Sequence, residues 1–150
     1  MADQMDKMNR SQCLGVLAQA PVDEVKQFAE DLIPDLGEIS VIFNRTGLVM
    51  LPMVESVHGT QFYLGELLTG EARVRVGDQE GYAACLGRDL EQALALAIVD
   101  VSNAIGIEQE NIHAFVSLQK ARLEESDRLL LRQVEATRVE METFEWQMPK

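Results

Sequence analysis

The residues of this chain best placed to do chemistry are cationic. Arg73 and Arg75 alternate with Ala72, Val74 and Val76, so a strand through Glu71–Val76 sets both guanidiniums on one face and an apolar row on the other. Paired guanidiniums suit a phosphate or a carboxylate. Glu71 beside them supports the plainer alternative, a solvated sheet face with cross-strand ion pairs. Arg88 stands just before Asp89 at the mouth of a helix, where free backbone N–H groups favour anions. A simple salt bridge or a solvated arginine is the alternative there. Arg73, Arg75 and Arg88 are therefore the candidate interface or phosphate contacts.

The other reactive residue types do not assemble into a centre. His58 falls in a turn and His113 on a helix, and neither has a partner four residues on that would make a metal pair. Cys13 and Cys85 belong to separate elements and lack zinc-site spacing. Two cysteines do not fill the usual ligand set of an iron–sulfur cluster, and both read as small buried hydrophobes. There is no dinucleotide-binding glycine pattern, no phosphate-binding loop and no nucleophile elbow. Glu124–Glu125 and the pair Glu140 and Glu142 are surface charge, and Asp100 reads as a polar residue flanking an apolar helix. No catalytic residue, no metal site and no cofactor bound by this chain alone are expected.

The elements that must position these arginines can be read along the chain. A first helix is expected over Asn9–Ala18, with a short apolar stripe of Leu14, Leu17 and Ala18. Pro21 suits the first position of a second helix, which Val22, Val25, Phe28, Ala29 and Leu32 continue and Pro34 should stop. Ile39, Val41 and Phe43 mark a strand, Asn44–Gly47 a turn, and Leu48–Val57 a second strand. Pro52 makes that second strand an edge or a bulged one. After a turn at Val57–Thr60, Gln61–Val76 reads as one long bent strand or two short ones, with Thr69–Gly70 as the bend. Gly77–Gly81 closes a hairpin and Tyr82–Leu86 returns.

Asp89 then caps the best-defined helix, with Gln92 placed to reach back as in a capping box, and Gly106 ends it. A last helical pattern runs from 108 to 146. In it Leu123, Leu130, Val134, Thr137, Met141 and Phe144 approach a coiled-coil seam. That helix either packs on its own domain or projects to meet another chain. The order of elements predicts a single α+β domain over 1–150. It should hold two helices, about four mostly antiparallel strands and two more helices, the last long and used for subunit contacts.

Composition narrows the function classes. A length of 150 residues suits one domain with a core of its own. The formal charge of −12 disfavours nucleic-acid binding across the whole surface. No apolar run is long enough for a membrane span, and Met1–Arg10 lacks the layout of a signal peptide, so the expected location is cytoplasmic.

Several blocks, in order, carry a resemblance to a known family. They are Thr46-Gly47-Leu48-Val49, Phe62 with Gly65-Glu66, Glu71-Ala72 with Val74 and Val76, Gly81-Tyr82, Leu86-Gly87-Arg88-Asp89, the small-residue helix Ala93–Asp100, and Ala136-Thr137-Arg138-Val139-Glu140 with Thr143-Phe144. At these residues the chain resembles the PhnG family, the G subunit of the carbon–phosphorus lyase system. The stretch from Val49 to Phe62 departs from the family pattern.

The resemblance implies a role in the use of alkylphosphonates, in a cytoplasmic complex with H, I and J subunits. There the G, H and I subunits, with an accessory ATP-binding-type subunit, support displacement of adenine from MgATP by methylphosphonate. The product is α-D-ribose 1-methylphosphonate 5-triphosphate. MgATP is then a substrate of the complex, and the chain an accessory subunit of a multi-subunit transferase with no active site of its own. The residues alone leave two alternatives open. One is a stand-alone homodimeric interaction module. The other is a small phosphate-binding enzyme built on the three arginines.

Overall fold

A computed structural model describes residues 8–139. The elements in chain order are α1 (Arg10–Leu17), α2 (Val22–Leu36), β1 (Ser40–Val54), β2 (Gln61–Val76), β3 (Gln79–Leu86), α3 (Leu90–Ile105) and α4 (Gln109–Ala136). The expectations placed on Glu140, Met141, Glu142, Thr143 and Phe144, and on Met1–Lys7, lie outside the described residues.

Local chemistry explains the start of α1 and both ends of α3. Asn9 Oδ1 accepts from the Gln12 N–H at 2.9 Å, and Gln12 Oε1 accepts from the Asn9 N–H at 2.8 Å, a complete capping box before α1. Asp89 caps α3 as expected, accepting from the Gln92 N–H at 3.0 Å. The reciprocal half is absent. The buried Gln92 side chain turns instead to the Ala18 carbonyl at 3.4 Å, tying α3 to the end of α1. Gly106 has φ 84° and the Ile107 N–H reaches back to the Ser102 carbonyl at 3.0 Å, closing α3 in the left-handed manner the sequence predicts.

Pro34 does not stop α2. The helix carries it in its last turn and runs on to Leu36, which is buried in the core, and Gly37 (φ 71°) ends it. The hydrogen bond lost to proline would have gone to the carbonyl of the exposed Glu30, which water can serve.

The sheet has three strands in the order β1-β2-β3, antiparallel throughout, where about four were expected. The α+β class stands. The difference lies at Asn44–Gly47, which forms no turn but continues β1: Asn44 pairs with Ala72, Arg45 with Glu71, Thr46 with Gly70 and Gly47 with Thr69. Cross-strand partners outweigh local turn preference there. Arg45 Nε meets Glu71 Oε1 at 2.7 Å, and Asn44 Nδ2 donates to the Leu90 carbonyl at 3.1 Å. Likewise β2 is one strand with no register shift at Thr69–Gly70. The register shifts fall at Val41/Phe43 and at Leu51/Pro52, both on the edge strand β1, where a proline is tolerated.

The core forms where α3 lies on one face of the sheet. Ala72, Val74, Ala83 and Cys85 of β2 and β3 meet Ala93, Leu96, Ala97 and Val101 of α3, all buried. Small side chains let the helix come close, and Gly81 sets the limit. A Cβ there would overlap the Ala97 carbonyl oxygen and stand 2.7 Å from both the backbone N and the Cβ of Val101. Gly81 thus serves helix–sheet contact, and the hairpin turn itself is Gly77-Asp78. On its other side α3 packs against α2, through Val25, Ala29 and Leu32.

Helix α4 joins this core only through its first half. Ile112, Val116 and Gln119 are buried, and Phe115 stacks on Phe28 with ring centroids 4.2 Å apart. From Glu124 to Ala136 every residue is exposed. The helix ends at Ala136 with Thr137 as its cap, so Thr137 does not continue the helical seam expected over 108–146.

Candidate functional site

The outer face of the sheet holds the expected arginines. Arg73 and Arg75 project from β2 opposite the buried Ala72 and Val74, as the alternation required. The structure adds three residues the sequence reading missed, Arg45 and Phe43 from β1 and Tyr82 from β3. They arrive because Phe43 and Tyr82 both pair with Arg73, and Arg45 with Glu71. The Arg73 guanidinium lies 5.4 Å from the Phe43 ring centre and 5.6 Å from that of Tyr82, while Arg45 lies 4.7 Å over Phe43.

Each of these cations has an acidic partner. Arg75 reaches Glu80 Oε1 at 2.5 Å through Nη2, and Arg73 Nη1 stands 3.7 Å from Glu80 Oε2. Arg45 bonds Glu71, whose second oxygen accepts from the Tyr82 hydroxyl at 2.9 Å. The hydrogen bond from Arg75 holds the Glu80 carboxyl below its usual range. Those from Arg45 and then Tyr82 do the same for Glu71. The arrangement is a latticed, solvated sheet face of alternating charge and aromatic rings.

Arg88 stands apart from this face. It follows Leu86, which pairs with Thr69, whereas Arg73 pairs with Tyr82. That offset is roughly 13 Å along the strands at about 3.3 Å per residue. Arg88 is exposed and forms no ion pair among the described residues. The helix mouth beside it is served by Asp89, which Lys26 Nζ contacts at 3.1 Å while also bonding Glu91 at 3.0 Å. The Gln92 N–H and then Lys26 hold the Asp89 carboxyl below its usual range.

Asp100 is more than a flanking residue. Its carboxylate is 1% exposed and takes Arg10 Nε and Nη2 at 2.5 Å each, together with the Tyr82 N–H at 2.8 Å. The same guanidinium donates to the Glu80 carbonyl at 3.0 Å. One carboxylate thereby ties α1, α3 and β3 together, a structural role. Cys13 and Cys85 are buried free thiols, both pushed above the usual thiol range by burial. Among the described residues no three of His, Cys, Asp and Glu gather as a metal-ligating group. No helix among them is long and apolar enough to cross a membrane.

The largest unexplained feature is an arm. Beyond the region covered by α3 and β3, β1 from Leu48 to Val54 and β2 from Gln61 to Leu68 continue as a two-stranded ribbon. Its apolar residues face outward on both sides: Leu48, Met50 and Leu68 on one, Val49 and Leu67 on the other, all exposed. Leu48 is 63% exposed and Tyr63 64%. A free-standing solvated ribbon would alternate with polar residues, and strands apolar on both sides are normally covered on both. The absence of alternation in Leu48–Val57 and Phe62–Leu68 was the available signal. The distal half of α4 repeats the theme with exposed Leu129, Leu130, Leu131 and Val134.

Fold and surface together define the class: a small α+β domain with a layered core, from which an apolar ribbon and an apolar-faced helix extend. The family model described as phosphonate metabolism protein PhnG matches residues 8–145, and the chain belongs to that family. Its metabolic field is therefore phosphonate metabolism. Comparison with curated proteins gives no match.

Proposed function

We propose that this chain is the G subunit of a cytoplasmic carbon–phosphorus lyase complex, working with H, I and J subunits. It serves the transferase step in which methylphosphonate displaces adenine from MgATP to give α-D-ribose 1-methylphosphonate 5-triphosphate. Its contribution is structural and activating. The ribbon and the distal part of α4 pack on neighbouring subunits, which favours attack on the ribose carbon by phosphonate over attack by water. MgATP is a substrate of the assembly, and no catalytic residue is assigned to this chain.

The observation that carries this reading is the pairing of a family match spanning residues 8–145 with apolar surface on both sides of the ribbon. The arginine face favours it over a small phosphate-binding enzyme, because Arg73, Arg75 and Arg45 are already matched by Glu80 and Glu71. The test is to assay the H and I subunits, with the accessory ATP-binding-type subunit, for ribose methylphosphonate triphosphate with and without this chain. Formation of that product should require it. Equal yield without it would sink the reading.

A further inference from the structure

Strand β2 leaves one edge of the sheet unpaired. β1 covers one side from Gln61 to Arg75, with one register shift at Leu64, but β3 covers the other only from Thr69 to Val76. The last bond on that side is the Gly87 N–H donating to the Leu68 carbonyl at 2.8 Å. Backbone groups of a strand address alternate edges with a period of two, so the N–H and C=O of Glu66 point to the open edge. The outer edge of β1 is blunted by Pro52 and the register shift beside it, a common protection. The edge of β2 over Gln61–Leu68 has no proline, and Glu66 is its one charged residue.

Charge selects the occupant. From Gly47 to Gly70 there is no lysine or arginine, whereas Glu55 and Glu66 are acidic, and the whole chain carries −12. A second copy would bring like charge to like charge, and an anionic membrane would be repelled in the same way. Apolar faces on both sides of the ribbon call for a polypeptide that covers faces as well as edge. We propose that the β2 edge from Gln61 to Leu68 accepts a β-strand from a different subunit of the complex. The surface that subunit presents is apolar, with a lysine or arginine opposite Glu66. This rests on the subunit reading above. Backbone pairing supplies affinity, and the apolar faces and the charge of Glu66 supply the choice of partner.

The full chain co-expressed with its H, I and J subunits tests this. Amide hydrogen exchange over Gln61–Leu68 should slow on assembly relative to the free chain. Glu66→Lys, which leaves the strand able to form, should weaken assembly by about tenfold while the far-ultraviolet spectrum of the free chain is unchanged. Glu66→Pro, which removes the outward N–H, should do at least as much. Assembly with unchanged exchange over Gln61–Leu68, or full assembly of the Glu66→Lys chain, overturns strand addition and leaves the subunit reading standing. No co-purification at all overturns both. A free chain that is dimeric with these amides protected makes the second copy the occupant and overturns the proposal.

Discussion

Strand β2 passes through two regions that obey different rules. From Glu71 to Val76 it alternates strictly, with Ala72 and Val74 buried under α3 and Arg73 and Arg75 in the charged outer lattice. From Gln61 to Leu68 the alternation disappears, and Phe62, Tyr63, Leu64, Leu67 and Leu68 are all exposed. The first region satisfies its side chains within this chain. The second satisfies only its backbone on the β1 side and leaves its side chains to something else. Buried and exposed apolar side chains are thus divided along one continuous strand, and the proposal above gives the exposed part to recognition.

The sharpest way to break that division is Gly81→Ala. The new methyl overlaps the Ala97 carbonyl oxygen, which is backbone and cannot rotate away, so α3 must lift from the sheet. A loss of about 3 kcal/mol is expected in denaturant unfolding. The same substitution at Gly47 or Gly65, where no atom stands within 4 Å of the added Cβ, should cost far less.

Asp100→Ala comes next. It removes the buried carboxylate that holds the part-buried Tyr82 N–H and frees a half-exposed Arg10, for about 2 kcal/mol. Asp100→Asn should recover part of the loss.

Ribbon variants sharpen the comparison from the other side. Leu48→Thr with Leu67→Thr should move stability by less than about 0.5 kcal/mol. The same pair should reduce self-association of the isolated chain by light scattering and impair co-purification with partner subunits. A large fall in the unfolding midpoint would show that the ribbon belongs to the core after all.

The smallest effect is the acid response of the outer lattice. Glu71, Glu80 and Asp89 titrate below their usual range in the folded chain. Their contribution is therefore present above the ordinary carboxylate range near about pH 4 and is lost as pH falls through the lowered values. Glu80→Gln should flatten the acid limb of a stability–pH profile slightly and leave ribbon-dependent assembly unchanged.

Much of the inner region was legible from residue spacing. The Asp89 cap, the Gly106 stop and the alternation of Arg73 and Arg75 all rest on interactions within a few residues. The errors lie where a distant partner decided the outcome. Asn44–Gly47 has turn-forming residues, yet β2 supplies a cross-strand partner for each of the four. Pro34 sits inside α2 because Leu36 beyond it is needed in the core. Gln92 leaves its own cap for the Ala18 carbonyl. In the candidate site, Arg45, Phe43 and Tyr82 join Arg73 only through strand register, which spacing within one strand does not reveal.

By itself the sequence determined the α+β class, the capped helix, the cationic face of β2 and the likeness to the PhnG family. Each of these is written in neighbouring residues, where periodicity, capping and short motifs act. Only the tertiary structure decided that the arginines are matched by Glu71 and Glu80, that Asp100 clamps Arg10, and that the apolar run Leu48–Leu68 lies outside the core. An apolar strand reads the same whether it is covered by its own chain or awaits another. The difference lies in where α3 and β3 end, and that is set by packing across the sheet.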